Sequence, residues 1–81
     1  MKNIIFFLNV YERDGESLVE EFDITSISKL IANEFGVNNQ FIQAPYKIDT
    51  INLYEILLKY ITNLKVYDYN SYDFFIECYS S

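Results

Sequence analysis

The sequence predicts an α+β domain in which a three-stranded antiparallel sheet packs against two helices, in the order β-β-α-α-β. Apolar residues alternate with period two in segments 3–11 and 72–79, which is typical of strands. Between them lie two segments with helical apolar spacing. The chain has 81 residues, of which 51% are hydrophobic and 19% aromatic. That size and composition predict one folded domain over residues 1–81.

The N-terminal part predicts a hairpin. Residues 3–11 carry apolar side chains on both faces, as a central strand does. Asp14-Gly15 follows as a tight-turn signature, because glycine accepts the positive φ of hairpin turns. In the second strand, residues 17–24, we expect Leu18 on the inward face, and Glu20 interrupts that face. The interruption indicates a bulge or an edge position.

The middle of the chain predicts both helices. Thr25 or Ser26 is the candidate N-cap of the first helix, and Gly36 ends it as a C′ residue. The second begins after Asp49 or Thr50 and extends to about residue 64.

The second helix has an apolar stripe wider than a sheet-facing side requires, since Ile56 and Tyr60 extend it around one edge. This edge packs on the first helix or faces another chain. The loop between the helices contains a short extended piece at 46–48.

The last strand interleaves two kinds of residue. We expect Phe74, Ile76 and Cys78 to point inward and to alternate with outward rings and carboxylates. If this strand lies beside the first, one outer face gathers four rings and two acids: Phe7, Tyr11, Phe75, Tyr79, Asp73 and Glu77. Such a composition is typical of binding surfaces. In the alternative, the helices cover this face, or its aromatic pairs only stabilise a half-exposed sheet.

The charge distribution argues against some partners and favours others. The net charge of −6 repels phosphate backbones, so we expect no direct nucleic-acid binding. Segment 12–23 holds six acids against Arg13 alone, which favours a basic protein partner through complementary potential. The alternative is a solvated hairpin kept soluble by charge.

The residues show little catalytic equipment. The chain has no histidine for acid–base chemistry, and Cys78, its only cysteine, is predicted to be buried and inert. The adjacent carboxylates Glu20 and Glu21 leave a hydrolase as a weak alternative. We expect no enzyme activity, metal or cofactor. Without a possible internal disulfide or an apolar run of about 20 residues, the chain is expected in the cytoplasm and not in a membrane.

Three short stretches, VYERDGESLVEEFDI, YKID and YDFFIECY, carry a family resemblance. The chain resembles the small acidic immunity proteins of bacterial polymorphic toxin systems, including contact-dependent growth inhibition. The resemblance implies a cytosolic antidote that binds the C-terminal toxin domain delivered by a sibling cell, often a nuclease. Binding would block the toxin's active site or an essential partner surface.

The candidate contacts for such a toxin domain come from the outer faces of the strands and from the acidic segment 12–23. They are Tyr11, Glu20, Glu21, Asp23, Asp73, Phe75, Glu77 and Tyr79. The alternative function is a structural or regulatory module that self-associates through Ile56 and Tyr60 of the second helix. Whether the protein is a monomer or a homodimer stays open.

Overall fold

The computed structural model describes residues 3–14, 17–37, 41 and 45–80. Its fold is α+β, with a four-stranded antiparallel sheet in the order β2-β1-β4-β3. The elements in chain order are β1 (Ile4–Glu12), β2 (Leu18–Asp23), α1 (Ser28–Phe35), β3 (Tyr46–Lys47), α2 (Ile51–Tyr60) and β4 (Tyr72–Ser80). Short 3₁₀ segments, Thr25–Ile27 and Thr62–Val66, precede α1 and follow α2.

The predicted fold class is confirmed, but the predicted number of strands is wrong. The extended piece between the helices is a fourth strand, in which Tyr46 pairs with Ile76 and Lys47 with Phe75. Two residues are too few to show the period-two pattern by which a strand is recognised. The element order is therefore β-β-α-β-α-β.

The first and last strands form the centre of the sheet. They pair without interruption from Ile4 opposite Ser80 to Glu12 opposite Tyr72. The last strand thus lies beside the first, which is the arrangement that gathers the outer rings on one face. Since paired residues in an antiparallel sheet point to the same side, this register fixes which side chains share a face.

Strand β2 is an edge strand with a bulge. Val10 pairs with Glu20 and Tyr11 with Leu18, so Val19 is an extra residue. An extra residue reverses the alternation beyond it. Leu18 consequently lies opposite Tyr11 and is 47% exposed, and the prediction that it points inward is wrong.

The hairpin turn is described in part. Asp14 has a positive φ of 60°, in the left-handed region that turns use and aspartate tolerates. Gly15, the predicted positive-φ residue, lies outside the described residues.

Gly36 ends α1 as predicted, with a left-handed φ of 74° and its N–H donating to Asn33 O at 3.1 Å. The predicted N-cap at Thr25 or Ser26 is wrong, because the chain passes through a 3₁₀ turn before α1 begins at Ser28. Thr25 has another role, since its Oγ1 accepts the N–H of Phe6 at 3.0 Å. This contact ties the end of the hairpin to β1.

Helix α2 begins as predicted and ends early. Thr50 Oγ1 caps it by accepting the N–H of Leu53 at 3.2 Å. The helix ends at Tyr60, and Leu64, predicted on its last turn, lies in the following 3₁₀ segment. Leu64 is nevertheless fully buried. Its helical spacing from the apolar residues of α2 therefore reflects packing in the core and not a continuation of the helix.

The core lies between the helices and one face of the sheet. Leu8, Val10, Phe74 and Ile76 supply the sheet side, and the helices add residues including Leu57. Cys78 lies opposite Phe6 on the core side, as predicted, but it is only partly buried rather than buried. Within the described ranges, no helix has both the length and the apolar character needed to span a bilayer.

Helices α1 and α2 form one layer on the sheet, which we call the helix layer. Packing between them also explains the wide apolar stripe of α2. Tyr60 packs against the core, and its hydroxyl donates to Glu34 of α1, which also forms an ion pair with Lys59. The edge of the stripe that carries Tyr60 therefore packs on the first helix.

Candidate binding face

One face of the sheet is left uncovered by α1 and α2, and we call it the open face. Its central residues alternate with the core residues of β1 and β4, and two acids of β2 extend it. The open face consists of Ile5, Phe7, Asn9, Tyr11, Leu18, Glu21, Asp23, Lys47, Asp73, Phe75, Glu77 and Tyr79. Because the buried side chains of both helices belong to the core on the other side, the predicted outer rings are not covered by the helix layer.

The four rings of the open face form two cross-strand pairs. Phe7 and Tyr79 have centroids 5.7 Å apart at 63°, and Tyr11 and Phe75 have centroids 5.7 Å apart at 81°. Edge-to-face contacts of this kind stabilise a sheet and hold the rings in place. The rings are thus paired with one another and also accessible: Tyr79 is 46% exposed, and the other three are partly buried.

Glu77 lies between the two ring pairs and is held by two donors. Its Oε1 accepts hydrogen bonds from Asn9 Nδ2 at 2.7 Å and from the Tyr11 hydroxyl at 2.5 Å. Asn9 Nδ2 also lies 3.4 Å from the Tyr79 hydroxyl. These contacts fix the carboxylate in one orientation, so its charge is presented at a defined point of the face.

Asn9 is a residue of the face that sequence reasoning missed. It is fully buried in the middle of β1, and its amide Oδ1 has no hydrogen-bond partner among the described residues. A buried acceptor without a partner typically costs about 1–3 kcal/mol. The signal in the sequence was a single amide side chain within the apolar run IIFFLNVY. Period-two alternation places this amide on the outer face, but it does not show that Asn9 differs in role from the other residues of that face.

The three acids of β2 are divided between the two sides of the sheet. Glu21 lies opposite Asn9 and Asp23 opposite Phe7, so both belong to the open face. Asp23 accepts from Thr25 N at 2.9 Å and Thr25 Oγ1 at 2.7 Å, and these bonds lower the pKa of Asp23.

Glu20 does not join the predicted site. It lies opposite Val10 on the core side and accepts the Tyr67 hydroxyl at 2.8 Å, which raises the pKa of Tyr67. The structure therefore brings together seven of the eight predicted residues and separates Glu20 from them, because of its place in the alternation of β2.

Two cations lie at the rim of the open face. Arg13 Nε is 3.7 Å from Asp73 Oδ1, and Arg13 also donates to the carbonyl of Asn70. Lys47 pairs with Phe75 at the β3 edge. The arrangement suits contact with a cationic surface through Glu21, Asp23 and Glu77. Among the described residues, no cluster of three or more histidine, cysteine or carboxylate side chains is suited to hold a metal ion.

The Tyr11 phenol offers a direct test of this geometry. Burial, with the hydrogen bond to Glu77 next in size, raises the pKa of Tyr11 from 10.0 to about 12. Since the folded pKa is the higher one, the stability from Tyr11 is fully present below about pH 10 and is lost as pH rises through about 12. We expect Tyr11→Phe to remove a late-ionising phenol from the ultraviolet titration of the folded protein.

The matched control for Tyr11→Phe is the same pair of proteins in denaturant. There every tyrosine titrates near its reference value of about 10, and the two curves should differ by one ordinary phenol. Loss of a phenol that ionises near pH 10 in the folded protein would contradict the described contact.

No protein-family model matches the chain, no curated protein is significantly similar to it in sequence, and no solved structure is significantly similar to it in fold. The geometry of the open face is therefore the basis of the functional argument.

Proposed function

We propose that this protein is an immunity-type binding protein that neutralises a basic toxin domain, of the nuclease type, by docking its open face on that domain. The observation that carries the proposal is the oriented carboxylate of Glu77, held by Asn9 and Tyr11 and flanked by two ring pairs. We further propose a cytoplasmic location, no catalytic activity and no direct nucleic-acid binding.

Electrostatics support a cationic partner. A nuclease needs Lys and Arg in its substrate groove to neutralise phosphates, and an acidic protein can occupy the same groove. The net charge of −6 would accelerate the encounter, and Glu21, Asp23 and Glu77 would orient it.

The rings support affinity beyond the steering effect. Aromatic side chains supply a large contact area at low rotamer cost and are enriched among residues that dominate binding energy. The pairing of Phe7 with Tyr79 and of Tyr11 with Phe75 holds them before binding, so less conformational freedom is lost in the complex.

The experiment is co-expression with the C-terminal domain of the protein encoded directly upstream. We expect a stable complex and rescue of toxicity. The association rate should fall at least about tenfold between low and high salt, because steered encounters are screened by ions. The absence of both a complex and rescue would remove the proposal.

Charge reversal provides the matched control. Glu21→Lys changes an exposed acid of the open face and should slow association with the toxin domain, whereas Glu55→Lys makes the same change at an exposed position of α2 and should have little effect. Equal effects of both substitutions would show that only net charge matters, and would reject docking through the open face.

A second candidate function, self-association through the helix layer, is favoured by exposed apolar side chains there. Leu30 of α1 is 52% exposed and Ile51 of α2 is 48% exposed, while Ile56 is partly buried. Light scattering distinguishes the candidates, since self-association predicts a homodimer that survives dilution.

A further inference from the structure

We propose that the centre of the open face is a receptor for one arginine side chain of the partner protein. The receptor consists of Glu77, Asn9 and the rings of Phe75 and Tyr79. This inference rests on the proposed function for the identity of the partner, but the chemistry of the subsite belongs to the free protein and can be tested on it alone.

Two hydrogen-bond acceptors are available within this group. In the part of the chain that the structure describes, Glu77 accepts from Asn9 and Tyr11 through Oε1, which leaves Oε2 able to accept a bond from outside. Asn9 Oδ1 is buried and finds no partner within the described ranges, and it belongs to the same amide whose Nδ2 contacts Glu77. The two acceptors belong to side chains that are joined by a hydrogen bond, and both need donors rather than acceptors.

Charge and shape favour a guanidinium as the donor group. Its planar fork presents five N–H donors, so one arginine reaches a carboxylate and an amide oxygen simultaneously. The flanking rings of Phe75 and Tyr79 offer aromatic faces on which a guanidinium stacks. A lysine ammonium is a compact, strongly hydrated charge that lacks this planar fork.

Tyr79 is the exposed ring next to the buried amide of Asn9. Its side chain is the most exposed of the four rings, and its hydroxyl lies 3.4 Å from Asn9 Nδ2. A bound guanidinium would stack on the Tyr79 ring, which its edge contact with Phe7 already holds at this position.

The experiment is a titration of the free protein followed by proton–nitrogen NMR. The probes are N-acetyl-arginine amide, its neutral isostere N-acetyl-citrulline amide, and N-acetyl-lysine amide. We expect the arginine probe to shift the side-chain NH₂ signals of Asn9 and to bind at least about tenfold tighter than either of the others. Equal binding of the three probes, or shifts confined to residues outside this group, would overturn the proposal.

A pair of variants adds a second test. Glu77→Gln keeps an amide oxygen that accepts from Asn9 and Tyr11, and it should weaken binding of the arginine probe about tenfold. Glu55→Gln removes the same charge from the helix layer and should leave binding unchanged. If Glu77→Gln folds poorly, the comparison of the three probes on the unaltered protein still tests the proposed arginine subsite.

The two proposals fail in different ways. If the toxin domain binds through the open face while the arginine probe shows no preference, the subsite is wrong and the immunity function stands. If the arginine probe binds at Asn9 and Glu77 while the upstream domain forms no complex, the subsite stands and the proposed partner is wrong.

Discussion

Replacing Phe74 by alanine is expected to lower the free energy of unfolding by about 3–5 kcal/mol. Phe74 is 1% exposed, and its ring lies 5.2 Å from that of Tyr54 and 6.3 Å from that of Tyr69. The substitution removes the centre of this cluster and leaves a cavity between β4 and the helix layer. A domain of this size has about 4–12 kcal/mol of total stability, so we expect much of the protein to unfold near room temperature.

Urea denaturation followed by circular dichroism measures the effect as a shift of the midpoint. Val66→Ala is the control, because Val66 is 72% exposed and its truncation should change the free energy of unfolding by no more than about 0.5 kcal/mol. A cost below about 1 kcal/mol for Phe74→Ala would mean that the site collapses without a cavity, and would contradict the described packing.

The regular part of the sheet could be predicted from the sequence because its alternation is unbroken. β1 and β4 pair over their whole length, so Phe75 and Glu77 lie on the face of the sheet that their alternation in the sequence predicts. In β2 the predicted interruption is confirmed, since the strand lies at the edge of the sheet and has a bulge at Val19. The inward position predicted for Leu18 is wrong, because Glu20 indicates a bulge without fixing which residue is the extra one.

Other differences reflect tertiary contacts that local pattern does not encode. Thr25 is a good N-cap by residue type, but its hydroxyl accepts the N–H of Phe6, nineteen residues away in the chain. Leu64 keeps helical spacing although the helix has ended at Tyr60, because the 3₁₀ segment returns it to the core. The importance of Asn9 depends on its long-range partner Glu77.

The two faces of the sheet differ in how their apolar groups are used. On the core side, Leu8, Val10, Phe74 and Ile76 pack against both helices. On the open face, the rings pack in two cross-strand pairs, and carboxylates lie between and beside them. Packing in pairs stabilises the sheet without completing a core, which leaves contact area for a partner.

The last prediction compares one apolar truncation on each side of the molecule. Phe75→Ala removes a ring of the open face and should weaken binding of the toxin domain by about 2 kcal/mol, or roughly 30-fold. Ile56→Ala removes a partly buried apolar side chain of α2 and should leave toxin binding unchanged within about threefold. Isothermal titration calorimetry measures both affinities.

Light scattering on the same two variants tests the competing function. Self-association through the helix layer predicts that Ile56→Ala dissociates a homodimer, whereas Phe75→Ala does not. Phe75 also packs against Tyr11, so its truncation lowers the free energy of unfolding by about 0.5–1.5 kcal/mol in addition to the effect of the lost buried area. Affinities are therefore compared under conditions in which both variants are fully folded. Toxin binding that depends on Ile56 rather than Phe75 would move the interface to the helices, and the oriented carboxylate of Glu77 would then need another explanation.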